Sequence, residues 1–310
     1  MLQLVLGRAG SGKTYTIYEQ IRALAGQGAD NLVLIVPEQS SFETERDMLR
    51  LLGPARLHCV EVLSFTRLCD RFFTLYGGAD KPVINTTGRT VLMELALQTV
   101  APQLELFRRQ TAQPQFARQM LSLFEQIRHA DLPPEKMLAA SENTQGSLKS
   151  KLYESALILS EYETRLHDAY YDPLDGLSRV AKALPSHPFF AGKRVFIDGF
   201  KGFTAQQLSV LEPLFAQAAQ TVVTLGADAL SDEQPFSPFA NVRKTGRQLQ
   251  RLARQQGVSV APAVHLTQSR RYQSQALAAL ERGLFAPDAG KYDDPAEQIG
   301  VYMADTVYDE

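Results

Sequence analysis

Near its start the chain reads Leu2-Gln3-Leu4-Val5-Leu6-Gly7-Arg8-Ala9-Gly10-Ser11-Gly12-Lys13-Thr14. The apolar run over residues 2–6 predicts a short buried strand, and the apolar spacing over residues 14–25 predicts an amphipathic helix. The segment between them fits the Walker A pattern, a glycine followed by four residues and then Gly-Lys-Thr. A strand, a glycine-rich turn and a helix in this order predict a P-loop that binds a nucleoside triphosphate.

The residue types of this loop suit the chemistry of a polyphosphate. Glycines allow backbone N–H groups to turn toward phosphate oxygens in conformations that a side chain would obstruct. The helix that follows adds the positive end of its dipole. We expect Lys13 to reach the β- and γ-phosphates of ATP and the Thr14 hydroxyl to hold Mg²⁺. The predicted nucleotide-binding residues are Gly7, Arg8, Ala9, Gly10, Ser11, Gly12, Lys13 and Thr14.

A P-loop enzyme also needs an acidic residue at the end of a neighbouring strand to hold Mg²⁺, usually beside a glutamate that polarises the attacking water. Asp198 ends the apolar run over residues 195–197, so we predict that it shares the metal with Thr14. The next residue is Gly199, and the water-activating carboxylate is therefore missing from that position. The site is predicted to bind Mg·ATP and to hydrolyse it slowly or not at all. The alternative role for Asp198 is a cap at the end of the strand.

The first part of the chain alternates between strand and helix patterns. Apolar runs over residues 31–36 and 58–63 predict strands, and helical spacing covers residues 41–52 and 64–75. Ser40 and Ser41 are possible caps for the helix that starts beside them. This alternation predicts an α/β domain built on a parallel sheet.

The pattern changes near residue 78. Helical spacing dominates residues 87–183, and strand patterns return only at residues 194–197 and 221–225, on either side of a helix predicted over residues 205–218. We predict a P-loop domain interrupted by an inserted all-helical subdomain. The predicted boundaries are residues 1–80 and 190–310 for the P-loop domain and residues 81–189 for the insertion.

The last part of the chain gives weaker signals. A basic helix is predicted over residues 241–256, and it is either a DNA or partner face or an ordinary solvated face. An extended stretch is expected over residues 258–266 and a helix over residues 268–284. Residues 299–303 are typical of a final strand with no helix to cover it, which suggests that the sequence is cut from a longer chain. The cations of the basic helix are Arg243, Lys244, Arg247, Arg251 and Arg254.

Composition restricts the class of protein. The hydrophobic fraction of 45% and charged fraction of 21% are ordinary for a soluble globular protein, and no apolar run approaches the about 20 residues that span a bilayer. We expect a cytoplasmic protein without a membrane segment. The net charge of −2 means that DNA binding would need a local basic groove. Two cysteines, Cys59 and Cys69, are too few for a zinc or iron–sulfur site and are expected to be reduced and buried.

Several segments together resemble the AddB subunit family, in their order and in their spacing. The resemblance covers the whole chain and is weakest over residues 85–190. The segments are Val5–Thr14, Val36-Pro37-Glu38-Gln39-Ser40 with Phe42-Glu43, Leu63-Ser64-Phe65-Thr66-Arg67-Leu68, and Ile197-Asp198-Gly199-Phe200 with Phe203-Thr204.

The resemblance implies a superfamily 1 helicase-like domain that is poor or inactive as a motor, in bacterial helicase–exonuclease machines that resect DNA double-strand breaks. It implies single-stranded DNA and duplex ends as ligands and an AddA-type subunit as partner. It also implies that Ser64 and Arg67 lie near DNA, while Phe65 is better explained as core. Full-length members carry a C-terminal nuclease with an iron–sulfur cluster, and none of its carboxylates or cysteines can be placed in this sequence.

Two other classes of function remain open from the residues alone. A P-loop kinase would phosphorylate a small molecule or nucleotide and would need clustered arginines near the phosphates. A non-catalytic scaffold would carry a vestigial loop that binds no nucleotide.

Overall fold

The computed structural model describes residues 1–78, 81–130, 132–172, 175–231, 237–272, 274–284, 286, 290–295, 299–300, 302–304 and 306, without the side chain of residue 129. Its described residues contain one six-stranded sheet, in which every strand pairs in parallel with its neighbours. The strands are β1 (Leu2–Gly7), β2 (Leu32–Ile35), β3 (Val60–Leu63), β4 (Arg194–Ile197), β5 (Gln220–Leu225) and β6 (Val264–Leu266).

The strand order is β3-β2-β4-β5-β1-β6. Strands from before and after the long helical stretch therefore pair directly, as in the register of Leu34 with Phe196 and of Leu4 with Val223. Strands β1 to β5 are mostly buried and rich in Val, Ile and Leu because both faces of a parallel sheet are covered, whereas β6 at the edge is only partly buried. The prediction of an α/β chain with a parallel sheet is confirmed.

Eleven helices of eight residues or more lie in the described ranges. The helix predicted over residues 41–52 has the predicted bounds, and the helix predicted over residues 268–284 is the one that differs most. The helices of the described ranges are α1 (Lys13–Gly26), α2 (Ser41–Leu52), α3 (Phe65–Tyr76), α4 (Thr86–Val100), α5 (Pro114–His129), α6 (Pro134–Glu142), α7 (Gly146–Ala169), α8 (Gly176–Ala183), α9 (Ala205–Gln217), α10 (Ala240–Gln255) and α11 (Gln275–Gly283).

The chain divides into two compact units, each with its own internal contacts. We call the first the sheet unit; it contains Met1–Leu63, Phe190–Gly202 and Ala218–Glu310. We call the second the helical unit; it contains Ser64–Phe189 and Phe203–Gln217. The division differs from the predicted boundaries, because residues 64–78 and 203–217 were assigned to the P-loop domain and group here with the helices.

The helical unit has an apolar core built by α4, α5 and α7. Phe124 and Tyr162 meet there edge to face, with 4.9 Å between their ring centroids. Both side chains are fully buried, as are Met93 and Leu159. Helical spacing of the apolar residues on these three long helices accounts for a core without a sheet.

Three local predictions are wrong. The side chains of Ser40 and Ser41 do not cap α2, since Ser41 Oγ donates to the carbonyl of Glu38 instead. The strand expected from residue 58 begins at Val60, after a 3₁₀ turn over Pro54–Cys59. Of the final strand expected over residues 299–303, the described residues 299, 300, 302 and 303 are not in a strand, and residue 301 lies outside the described part.

One expectation about residue environment is confirmed. Cys59 and Cys69 are both buried, and neither forms a disulfide. Within the part of the chain that the structure describes, no helix is both long enough and apolar enough to cross a membrane.

Candidate nucleotide-binding site

The loop between β1 and α1 has the backbone geometry that its glycines predict. Gly10 and Gly12 have φ values of 77° and 86°, in the left-handed region that L side chains rarely adopt. Gly7 is constrained by space instead, since a Cβ there would lie 2.2 Å from Ser11 Oγ. Three glycines of the predicted P-loop are therefore required by conformation or by packing.

Lys13 folds back over this loop. Its Nζ donates to the carbonyls of Gly7 and Arg8, at 2.7 and 2.9 Å. Burial lowers the pKa of Lys13 below its ordinary value; Asp198 opposes this shift, Arg271 adds to it, and Glu281 opposes it. The ammonium group is thus partly desolvated and donates to two neutral carbonyls, which favours exchange for an anionic ligand.

Thr14 and Asp198 meet directly. The Thr14 hydroxyl donates to Asp198 Oδ2 at 2.7 Å, and the Thr224 hydroxyl donates to Asp198 Oδ1. Asp198 is buried, and its position at the end of β4 is held by a backbone bond to the carbonyl of Ile35. The parallel sheet brings the ends of β1 and β4 to one edge, so the structure joins the two residues that were predicted to share a metal.

Gly199 follows Asp198 in a conformation that excludes most side chains. Its φ is 83°, and a Cβ there would lie 3.2 Å from Cδ of Pro37. A glutamate at this position would be strained and would also crowd the proline ring. The backbone conformation of Gly199 therefore explains why the water-activating carboxylate is missing after Asp198.

Two arginines that the sequence prediction missed lie over the loop. The backbone N–H of Arg270 donates to the carbonyl of Gly10 at 2.8 Å, and its guanidinium lies 4.3 Å from the ring centroid of Tyr15. Together with Arg271 it borders a cleft of about 390 Å³. The other lining residues of this cleft are Gly10, Gly12, Lys13 and Thr14.

The prediction placed Arg270 and Arg271 inside a helix over residues 268–284, but α11 starts only at Gln275. The intervening residues return to the loop because β6 pairs with β1. Two adjacent arginines, four and five residues after the end of a strand, were the available signal.

Arg8 and Ser11 point to other partners. Arg8 pairs with Glu281 at 2.9 Å and donates to its backbone carbonyl at 2.7 Å, and its guanidinium lies 5.1 Å from the ring centroid of Phe239. Ser11 is buried, and its hydroxyl has no hydrogen-bond partner among the described residues. Both line a second cavity of about 300 Å³, together with Ala9. These two side chains are therefore not arranged around the cleft that Lys13 and Thr14 share.

The residues predicted to contact DNA belong to the helical unit. Ser64 is completely buried, and its hydroxyl caps α3 by accepting the backbone N–H of Arg67 at 3.2 Å, so its position does not support a DNA contact. Phe65 is buried and meets Phe203 edge to face, which agrees with the core assignment. Arg67 is exposed, and its DNA contact stays a prediction.

A family model described as "ADDB, N-terminal" matches residues 4–281. The chain belongs to the AddB family. The curated relatives of this family that it matches carry the name of a subunit of an ATP-dependent helicase/deoxyribonuclease.

Three of these AddB relatives show the extent of the similarity. The protein of Caldanaerobacter subterraneus subsp. tengcongensis is 31% identical over 315 residues, covering 100% of this chain and 27% of the relative. That of Desulforudis audaxviator is 33% identical, covering 98% and 27%. That of Moorella thermoacetica is 36% identical, covering 90% and 26%. The chain therefore spans about a quarter of the length of these relatives.

Proposed function

We propose that this AddB-family chain is the ATP-binding, helicase-like part of a protein that processes DNA double-strand breaks for recombinational repair. The observation that carries the proposal is the contact between the Thr14 hydroxyl and Asp198, next to Lys13 and a glycine-rich turn. A P-loop that binds Mg·ATP needs these three side chains at one edge of a parallel sheet. The names of the relatives support the DNA-processing class.

The residues present fit Mg·ATP. Backbone N–H groups of the loop and the start of α1 would bind the phosphates, and Lys13 would exchange its two carbonyl partners for phosphate oxygens. Mg²⁺ is commonly held by one or two carboxylates together with substrate phosphates. Thr14 and Asp198 supply one hydroxyl and one carboxylate for this purpose.

The arginines over the cleft would complete the site. Arg271 and Arg270 border the same cleft as Lys13, and Arg guanidinium groups pair well with phosphate. Tyr15 is half exposed beside the turn, and its ring is suited to stack on a nucleobase. In our proposal Arg270 leaves the ring of Tyr15 when a nucleotide binds.

We propose that the site acts as a nucleotide switch with little ATPase activity. The conformation of Gly199 supports this proposal, because an acid that polarises water has no room directly after Asp198. Single-stranded DNA, duplex ends and an AddA-type subunit are the proposed partners, in the cytoplasm. The relatives are named as part of a helicase/deoxyribonuclease with more than one subunit, and this name supports a partner and a DNA substrate.

Thermal unfolding with and without Mg·ATP tests the nucleotide site. A ligand at 100 times its Kd stabilises the native state by about 2.7 kcal/mol, so the wild type should melt several degrees higher with Mg·ATP. Lys13→Ala should abolish this shift. The control is Lys201→Ala, which removes an exposed lysine of the sheet unit and should keep it. An unshifted wild type at millimolar Mg·ATP would refute the proposal and leave a vestigial loop.

One observation favours the small-molecule kinase as second candidate. Arg270 and Arg271 lie beside the loop, where a kinase would need clustered cations. Incubation with radiolabelled ATP and a panel of nucleosides and nucleotides separates the two functions. Phosphoryl transfer to any of them would favour the kinase, whereas binding without transfer favours the helicase-like function.

A further inference from the structure

Helix α10 presents an unusual surface. Its sixteen residues include five cations and no acidic residue. One cation, Arg243, is buried and pairs with Asp228 at 3.1 Å. The other four, Lys244, Arg247, Arg251 and Arg254, are exposed, and none forms an ion pair with an acidic group of the described residues.

The four exposed cations lie on one face. At 3.6 residues per turn their side chains fall within a sector of about 80° around the helix axis. Gln248 and Gln255 are exposed on the same side and add amide donors. The opposite face, with Gly246, Leu249 and Ala253, is buried. The basic face is therefore continuous and faces away from the core of the sheet unit.

The face is not explained by helix stability. Lys244 and Arg247, Arg247 and Arg251, and Arg251 and Arg254 are three or four residues apart, a spacing at which like charges repel. Arg254 has one structural reason, because a cation in the last turn interacts favourably with the helix dipole. Arg247 also donates one of its N–H groups to the carbonyl of Leu230, at 2.9 Å.

In each of three other surface helices, an arginine pairs with an acidic residue of the same helix. In α1, Arg22 pairs with Glu19, and in α2, Arg50 pairs with Asp47. In α7, Arg165 pairs with Glu161. The solvated faces of these three helices therefore carry both signs, while the exposed charges of α10 have one sign.

We infer that the α10 face formed by Lys244, Arg247, Arg251 and Arg254 binds the phosphate backbone of DNA. The span from Lys244 to Arg254 is about 15 Å along the helix, at 1.5 Å per residue. One DNA strand carries a phosphate about every 3.4 Å of axis, so the face matches about four phosphates. Guanidinium groups bind phosphate oxygens without reading sequence. The choice of DNA over another polyanion rests on the proposed function.

The test compares two variants with the same loss of charge. The first replaces Lys244, Arg247, Arg251 and Arg254 by Gln. The matched control replaces four exposed cations of the helical unit, Arg118, Lys136, Lys149 and Lys151, by Gln. Fluorescence anisotropy with labelled single-stranded and duplex oligonucleotides, over a series of salt concentrations, gives the affinity and its salt dependence.

The α10 variant should bind single-stranded DNA at least tenfold more weakly than the wild type at low salt. Its plot of log affinity against log salt should be less steep by about 3, since each lost phosphate contact removes about 0.7 from the slope. The control should stay within about twofold of the wild type and keep its slope. If the control loses as much as the α10 variant, or the α10 variant loses nothing, the inference is wrong.

Two further measurements make the result decisive. The pairs Arg247→Gln with Arg251→Gln, and Lys244→Gln with Arg254→Gln, should each lose about half of the slope change, and they replace the fourfold variant if it does not fold. The charge-preserving Arg247→Lys with Arg251→Lys should keep the slope.

The outcome is separable from that of the nucleotide site. The α10 variant should keep the melting shift with Mg·ATP, because none of its four substitutions touches the cleft. A wild type that shows this shift and binds no DNA would overturn the α10 inference alone. Loss of poly-glutamate binding with unchanged DNA binding would assign the face to an acidic protein instead.

Discussion

The sheet unit and the helical unit each bury a carboxylate beside a loop, and they hold it with different groups. Glu154 of α7 accepts three backbone N–H groups, from Glu105, Leu106 and Phe107, at 2.8 to 2.9 Å. Asp198 at the end of β4 accepts two side-chain hydroxyls, from Thr14 and Thr224. Both carboxylates are less than a tenth exposed.

The difference separates a structural clamp from a candidate ligand. Backbone amides of a fixed loop cannot leave without moving the chain, so the three bonds to Glu154 fasten the loop before residue 110 to α7. A hydroxyl rotates about its side-chain bond, so Thr14 can release Asp198 when a cation arrives. The donor type therefore indicates which buried carboxylate is exchangeable.

The largest expected effect is loss of the clamp. Glu154→Ala leaves three partly buried N–H groups without their charged acceptor, and it should lower the free energy of unfolding by about 3–5 kcal/mol. Urea unfolding followed by circular dichroism measures this change. Glu161→Ala is the control on the same helix, where loss of the pair with Arg165 should cost at most about 1 kcal/mol. Equal costs for the two variants would remove the distinction between clamp and surface pair.

A second prediction concerns the loss of stability of the helical unit at high pH. Burial raises the pKa of Tyr162 to about 12, although the positive charge of Arg89 acts the other way. The unfolded chain loses this proton near pH 10, so stability is present below pH 10 and falls by up to about 2–3 kcal/mol as the pH rises to 12.

Tyr162→Phe should remove this part of the alkaline loss, as read from unfolding free energies at pH 9 to 12. Tyr153→Phe, at a half-exposed position of the same helix, should leave the alkaline loss unchanged. If the free energies of unfolding of the wild type and of Tyr162→Phe fall in parallel with rising pH, burial does not raise the pKa of the Tyr162 phenol.

The third prediction sharpens the role of Asp198. Asn at this position keeps the shape and can still bond both hydroxyls, so unfolding without ligand should change by about 1 kcal/mol or less. Mg²⁺ should strengthen ATP binding less in Asp198→Asn than in the wild type, because the carboxylate charge is gone. The ratio of ATP affinities with and without Mg²⁺ should fall at least tenfold, equivalent to about 1.4 kcal/mol.

Titration with ATP in the presence and absence of Mg²⁺ measures this prediction. Asp47→Asn is the matched control, since it removes a partly exposed charge of the same unit, paired with Arg50 at the surface of α2. Should Asp198→Asn destabilise the protein as strongly as Glu154→Ala, Asp198 would be a clamp as well, and the comparison of the two carboxylates would fail.

The smallest expected effect is at the surface of the sheet unit. Burial acts to raise the pKa of Asp228, but hydrogen bonds from Arg243 and from the backbone of Ala229 outweigh it and hold the pKa below its ordinary value. The ionised Asp228 therefore stabilises the folded protein at pH values above the ordinary pKa of an aspartate. This stabilisation is lost as the pH falls through the pKa of Asp228 in the folded state. Since Asp228 is half exposed, we expect less than about 1 kcal/mol.

Unfolding curves of the wild type and of Asp228→Asn between pH 5 and pH 2.5 should converge as the pH falls. Asp30→Asn, at an exposed position, should run parallel to the wild type throughout. Curves for Asp228→Asn that never converge with those of the wild type would contradict the sign of the shift.

Much of the sheet could be predicted because its strands are apolar runs with no other explanation. Residues 194–197 have the predicted bounds of β4, and Asp198 follows them as expected. The prediction failed where one residue type serves two purposes. Ser64 is predicted to lie near DNA and is instead a buried cap, because hydroxyl groups suit both roles and the sequence alone does not distinguish them.

The arginines of the cleft were missed for a different reason. Local spacing reports whether a segment forms a helix, but Arg270 and Arg271 are placed by the pairing of β6 with β1, more than 250 residues apart along the chain. Such a contact between distant segments leaves no periodic signal. The same limit applies to Glu154, whose partners lie 47 to 49 residues away.

The backbone at Gly199 has a practical consequence for protein engineering. A designer who wishes to convert this chain into a fast ATPase cannot simply write a glutamate after Asp198, because the left-handed φ of 83° and the ring of Pro37 stand in the way. The proline would have to change first, and the turn after β4 would have to be rebuilt. Turnover would therefore have to be gained in at least two coupled steps, the first of which brings no increase in rate by itself.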